Sequence, residues 1–211
     1  SGDIPVWENF CAECGGNQKE LTSARRAELD VQREQSESLC KEYAFDESLV
    51  IAREIAAVED SRLQHLKEWS ETFIAETETE KVRQQQDAQG HFAESQQHHA
   101  AFDYPSAIHA IESIPAALRS ETVSSYLVRL VSDQQESEEL IATISERVQR
   151  RDLDGLLEQV DRAVELRGDR ADLQKLQTQL HDRRAKRINQ RDEAYEEAAS
   201  LLSRGDAKGA Y

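Results

Sequence analysis

The sequence predicts an all-α protein: an elongated array of antiparallel helical hairpins, with tetratricopeptide-like and coiled-coil character, preceded by a short cysteine-containing segment. The chain has 211 residues but only 8 Gly and 3 Pro, too few for the frequent turns of a β-sandwich or barrel. Leu, Ile, Val and Ala recur at spacings of three and four, which is typical of amphipathic helices. Because apolar residues are spread along the whole chain, the charged fraction of 32% does not indicate disorder.

The acidic balance limits the classes of partner. With 42 acidic and 26 basic side chains, the formal net charge is −16, and such a field repels nucleic acids and anionic membranes. Residues 183–191 are a local exception, with five basic side chains and no acid. Such a run can be an anion- or nucleic-acid-binding patch or the solvated face of a helix. Since no aromatic residue is interleaved for base stacking, we interpret it as a solvated helix face, and no nucleic-acid partner is expected. No stretch approaches 18 apolar residues, so no membrane-spanning segment is predicted.

Residues 1–20 differ in composition from the rest and are predicted to form a separate element, half of a zinc ribbon or knuckle. They contain Cys11 and Cys14, followed directly by two glycines. Two thiolates at this spacing chelate one metal ion, but a closed zinc site needs four ligands. The third cysteine, Cys40, falls in a predicted helix, and the pair His98 and His99 falls in a polar, Gln-rich helix. Cys11 and Cys14 are therefore the candidate zinc ligands of an incomplete site.

Three interpretations of this cysteine pair remain open. A second CxxC pair that completes the site can lie upstream of Ser1. The pair can instead be a redox motif, although thioredoxin-type CxxC motifs open a helix within a βαβ unit, which this sequence does not predict. It can also be a pair without metal, either free or bridged. The low cysteine content otherwise indicates a reducing, cytoplasmic compartment.

Residues 21–101 are predicted to form long, coiled-coil-like helices, and residues 102–211 irregular helical-hairpin repeats that are cut off at the C-terminus. In residues 121–150, apolar residues follow an interrupted heptad repeat. Leu130 and Ile144 occupy one of the two apolar positions of that repeat. Four short motifs each open a helix with small apolar residues, which predicts quasi-repeats of a short and a long helix. These motifs are Phe45-Asp46, Phe102-Asp103, Arg151-Asp152 and Gly205-Asp206. Because the last motif is followed by only five residues, we expect the chain to be a fragment of a larger protein.

Two parts of the sequence carry a resemblance to known proteins. Residues 4–18 resemble the second half of the zinc ribbons found in bacterial multidomain proteins. Residues 104–115 and 151–160 are similar to the regions that follow the kinase domain in planctomycete-type serine/threonine protein kinases. The resemblance implies a non-catalytic regulatory or scaffolding segment. No catalytic residue carries over, since the chain lacks a Gly-rich phosphate loop, a strand lysine, an HRD-type catalytic loop and a DFG-type metal-binding turn.

The function predicted from these patterns is protein–protein interaction, not enzymatic activity. Grooves between short and long helices are expected to receive a peptide or a partner helix, or the polar long helices are expected to self-associate as coiled coils. The alternative is a zinc- or redox-responsive sensor in which Cys11 and Cys14 form the switch. An enzyme has no supporting motif in this sequence.

Overall fold

A computed structural model describes Phe10 and residues 16–203, and it confirms the all-α prediction for this part of the chain. Apart from an isolated bridge between Phe10 and Asn17, the described residues form helices joined by turns. Single 3₁₀ turns precede two of the long helices, at Ser61–Leu63 and Ala116–Leu118. Long and short helices alternate: α1 Gln18–Lys41, α2 Phe45–Ala56, α3 Gln64–Ala100, α4 Tyr104–Glu112, α5 Glu121–Gln149, α6 Leu157–Leu166 and α7 Ala171–Ser203.

The same turn follows α1, α3 and α5. In each case one non-glycine residue adopts a left-handed conformation: Tyr43 (φ 64°), Phe102 (φ 60°) and Arg151 (φ 61°). The N–H of the next residue donates to a carbonyl five residues earlier, which satisfies a free carbonyl at the end of the long helix. These hydrogen bonds run from Ala44 to Leu39, from Asp103 to His98 and from Asp152 to Arg147, each at 2.9 Å.

The predicted opening motifs align with this turn, with one offset. Asp103 and Asp152 directly follow the left-handed residue, and the Asp103 carboxylate accepts the N–H of Ser106 (3.3 Å) as a helix cap. In the first hairpin the residue that directly follows the left-handed Tyr43 is Ala44, not an aspartate. Asp46 therefore lies two residues later, in the first turn of α2, where it pairs with Lys81 (2.6 Å). Gly205-Asp206 lies outside the described residues.

One compact unit contains the described residues up to 92 together with 112–120. Its core joins α1, α2 and the start of α3 through Leu29, Ile55, Leu63 and Leu66, which are at most 2% exposed. Helices α1 and α2 approach closely at a pair of small residues. The Ser36 hydroxyl donates to the Ser48 carbonyl and the Ser48 hydroxyl donates to the Ser36 carbonyl, both at 2.8 Å.

The second unit contains residues 93–111 and the described residues from 121 onward. Its core lies between α5, α6 and the first part of α7. The buried members are Ile144, Leu156, Val160, Ala163, Leu173 and Leu180. The predicted heptad in α5 contributes Leu130 and Ile144 to the buried side, and Ser137 lies midway between them, also buried. Two hydrogen bonds attach α4: Tyr104 donates to the Leu166 carbonyl (2.8 Å), and Ser95 donates to the Ala107 carbonyl (2.7 Å).

Candidate docking groove between helices α6 and α7

The candidate metal ligands Cys11 and Cys14 lie outside the described residues, so the zinc site stays a prediction. Cys40 is half-buried in α1, with its Sγ 3.9 Å from the Thr77 hydroxyl. Residues 16–203 contain no group of three or more His, Cys, Asp or Glu side chains placed to hold a metal ion. Each described helix is too short or too polar to cross a bilayer.

The histidine pair contributes to the turn after α3. The Nδ1 atom of His99 lies 2.8 Å from the Tyr126 hydroxyl, which joins α3 to α5. The Nδ1 atom of His98 lies 3.5 Å from a carboxylate oxygen of Asp103, the residue that caps α4. These contacts give both histidines a structural place in the second unit.

A concave surface of the second unit lies between α6, the loop before it, and α7. We call it the α6–α7 groove, and its volume is about 600 Å³. Its floor is apolar and comes from all three segments: Leu153 in the loop, Leu157 in α6, and Leu180 and Ile188 in α7. One rim holds Asp154, Gly155 and Glu158, and the other rim holds Arg183, Arg184, Arg187 and Arg191.

The groove exists because α7 is much longer than α6. Leu173 and Leu180 are buried against α6, at 4% and 7% exposure. Beyond Leu180, α7 continues to Ser203 without a buried residue. These remaining turns span about 35 Å at the 1.5 Å rise of an α-helix. A face of α7 is therefore uncovered where the groove begins.

The opposite wall is held in place by Arg147 at the end of α5. Its guanidinium donates to Asp152 (3.1 Å), to the Gln159 side chain (3.1 Å) and to the Asp154 carbonyl. Within this loop Gly155 adopts φ 69°, a conformation that glycine takes without the steric cost of a side chain. The loop thereby presents Leu153 to the groove while Leu156 stays buried in the core.

The arginine rim carries a surplus of positive charge. Arg187 pairs with Asp154 across the groove (3.3 Å), but both side chains are mostly exposed, at 68% and 84%. Arg191 pairs with its neighbour Asp192 (2.7 Å). Such exposed ion pairs contribute little to stability, and their side chains readily change partners. Arg183 and Arg184 have no ion pair with any described residue, so the rim stays basic on a strongly acidic protein.

Sequence reasoning located the basic run but not the groove. The run is exposed, as predicted, and four of its arginines line the groove beside leucines. The leucines come from a loop and from two helices, so no local pattern brings them together. The spacing of Arg183, Arg187 and Arg191 could have predicted a row of arginines along one side of α7, since residues four apart share one helix face.

Comparisons with protein-family models, with curated proteins and with solved structures gave no match. The chemistry of this surface is therefore the basis on which a function is assigned.

Proposed function

We propose that this chain is a non-catalytic protein–protein interaction module, a scaffold or regulatory segment of a larger multidomain protein. Its α6–α7 groove binds an acidic amphipathic helix of a partner protein. The observation that carries this proposal is the apolar floor of the groove beside a row of arginines on α7, two of which have no ion pair with described residues.

The groove has the two features that helix-in-groove recognition uses. An apolar floor accepts side chains at positions i, i+3, i+4 and i+7 of an amphipathic helix. Arginine guanidinium groups bind carboxylates with two parallel hydrogen bonds, which adds geometric specificity. A basic rim on a protein of net charge −16 also steers an acidic segment to this place and away from the rest of the surface.

We further propose that the long and short helices are copies of one hairpin unit, a helical-repeat scaffold. Supporting this, the left-handed turn recurs three times, and buried or half-buried positions match in all three short segments. Matched positions are Phe45, Tyr104 and Leu153; Ser48, Ala107 and Leu156; Ala52, Ile111 and Val160; and Ile55, Ile114 and Ala163. Repeat scaffolds present extended surfaces to their partners, which agrees with a docking role. That the parent protein is a serine/threonine kinase is a proposal resting on the sequence resemblance.

A direct test uses a fluorescein-labelled helical peptide with leucines at i, i+3, i+4 and i+7 and glutamates elsewhere. The control peptide has lysines in place of the glutamates. By fluorescence anisotropy at 50 mM and 300 mM NaCl, we expect only the glutamate peptide to bind, and more weakly at the higher salt. The double substitution Arg183→Glu/Arg187→Glu weakens binding roughly tenfold or more, since two exposed ion pairs of up to about 1 kcal/mol each are lost and repulsion between like charges replaces them.

The matched control is Arg25→Glu/Arg26→Glu, which reverses two exposed arginines on α1. This variant keeps the affinity of the unmodified protein, apart from a small change due to net charge. Equal binding of both peptides, or unchanged binding after reversal of Arg183 and Arg187, would contradict the proposed site.

The second candidate function is a zinc- or redox-responsive sensor, favoured by the Cys11-x-x-Cys14 motif. Elemental analysis of a longer chain that carries a second CxxC pair upstream tests this candidate. Bound zinc that is lost in Cys11→Ser/Cys14→Ser supports the sensor. Absence of metal with both pairs present removes the metal-dependent form of it.

A further inference from the structure

Beyond Leu180, helix α7 divides into two parts of opposite charge. Residues 183–191 carry five basic side chains and no acid. Residues 192–203 carry four acidic side chains and no base, at Asp192, Glu193, Glu196 and Glu197. From 181 to 197 every residue is exposed, so both charged parts are free to meet another molecule.

The same stretch carries a regular apolar row. Ile188, Tyr195 and Leu202 are spaced seven residues apart and are 40%, 68% and 56% exposed. Ala185, Asp192 and Ala199 occupy the complementary heptad position. Large apolar residues that repeat every seven positions on an exposed helix are typical of a coiled-coil seam that a partner helix covers. The stretch covers about three heptads, the length from which such a repeat indicates a coiled coil.

The charge order of α7 is complementary to itself only when two copies run in opposite directions. A parallel pair would place each basic part beside the other basic part, and like charges repel. An antiparallel pair, with its two-fold axis at Arg191 and Asp192, places each basic part beside an acidic part. About this axis Ile188 lies opposite Tyr195 of the second copy, and residues 183–191 of one copy run beside residues 192–200 of the other.

We infer that the occupant of the α6–α7 groove is the acidic end of α7 from a second copy of this chain, so that the protein forms an antiparallel dimer through α7. This inference rests on the proposed function, because it requires the groove to accept an acidic amphipathic helix. Tyr195, Ala199 and Leu202 of the second copy lie along the groove between Leu180 and Ile188. The interface is two-fold symmetric, and each copy supplies both a groove and an occupant. The exposed pairs of Arg187 with Asp154 and Arg191 with Asp192 exchange for pairs between copies at small cost.

Light scattering coupled to size-exclusion chromatography measures the dimer directly. We expect a molar mass of twice 24.0 kDa at 50 mM NaCl, falling toward the monomer value as salt is raised. The double substitution Glu196→Arg/Glu197→Arg gives a monomer. The control Glu138→Arg/Glu139→Arg, on an exposed face of α5, remains a dimer.

Disulfide cross-linking determines the direction of pairing. Positions 188 and 195 of one copy are about 10 Å apart along the helix, too far for a disulfide within one chain. In the variant Ile188→Cys/Tyr195→Cys, an equal mixture of ¹⁵N-labelled and unlabelled protein is expected to give mixed-isotope peptides that join position 188 to position 195. A monomer at all concentrations, a dimer without these cross-links, or a dimer that survives charge reversal would overturn the inference.

The monomeric variant Glu196→Arg/Glu197→Arg also separates this inference from the proposed function, because its groove residues are unchanged. If the unmodified protein is monomeric but this variant binds the acidic peptide, the dimer is wrong and the docking groove stands. If the dimer forms and the monomeric variant does not bind the acidic peptide, the proposed docking of partner helices is wrong.

Discussion

At the scale of single residues, two buried serines determine how closely α1 and α2 approach. Ser36 and Ser48 are fully buried, and each hydroxyl donates to the carbonyl of the other residue. A polar residue in a polar helix predicts exposure, so sequence reasoning had no signal for this pair. Its hydrogen-bond partners lie on the other helix, and only the tertiary fold brings them together.

This contact predicts a large difference between two neighbouring serines. Ser36→Val inserts bulk where the helices touch and removes a hydrogen bond, and we expect a loss of about 2–3 kcal/mol in the free energy of unfolding. Ser38→Val makes the same chemical change on the exposed face of α1 and costs less than about 0.5 kcal/mol. Urea denaturation followed by circular dichroism measures both values. Equal stability of the two variants would show that α1 and α2 do not pack at Ser36.

Ionisation of Tyr104 makes the stability of the second unit depend on pH in the alkaline range. Burial, followed by the nearby negative charge of Asp133, raises the pKa of Tyr104 above its ordinary value near 10. Because the folded-state pKa is higher than the unfolded one, the stabilisation is fully present below pH 10 and is lost as pH rises through the folded pKa.

We therefore expect a lower free energy of unfolding at pH 10.5 than at pH 8. Tyr104→Phe removes the hydrogen bond to the Leu166 carbonyl (2.8 Å) and costs about 1–2 kcal/mol at pH 8, but it reduces the alkaline loss. Urea titrations of both proteins at the two pH values provide the comparison. An alkaline loss of the same size in the variant would assign the effect to another group.

Among the helices, the sequence predicted the starts of two short helices, but it did not predict the conformation of the turns that join long and short helices. Asp103 and Asp152 lie at two of the predicted boundaries, and the Asp103 carboxylate caps α4. The left-handed residues Tyr43, Phe102 and Arg151 were not predictable, since bulky side chains disfavour this conformation. The helix-terminating hydrogen bonds and packing beyond the turn compensate for that local cost.

The cost at Arg151 can be measured by substitution. Arg151 is exposed with φ 61°, so Arg151→Gly relieves the left-handed strain at the expense of a more flexible unfolded chain. We expect a net gain of about 0.5–1 kcal/mol. Gln149→Gly, at the last residue of α5, costs about the same amount because glycine disfavours the helix. Thermal denaturation ranks the two variants, and destabilisation by Arg151→Gly would contradict the turn geometry.

At the scale of the whole molecule, composition was sufficient to predict the all-α class, because helical periodicity and scarce Gly and Pro are properties of the entire chain. The α6–α7 groove was not predictable, since its floor and rims come from separate segments that only folding brings together. The separation of charge along α7 is visible in the sequence, but its meaning depends on the exposure that the structure shows. Cys11 and Cys14 remain a sequence prediction.

Nuclear magnetic resonance shows whether an acidic helix docks in the α6–α7 groove or elsewhere on the protein. The glutamate peptide is titrated into the ¹⁵N-labelled monomeric variant Glu196→Arg/Glu197→Arg, and amide chemical shifts are followed. We expect the perturbed amides to cluster at residues 153–158 and 180–191, and we expect Arg183→Glu/Arg187→Glu to abolish the perturbations. Perturbations centred on α1 and α2, or none at millimolar peptide, would contradict it.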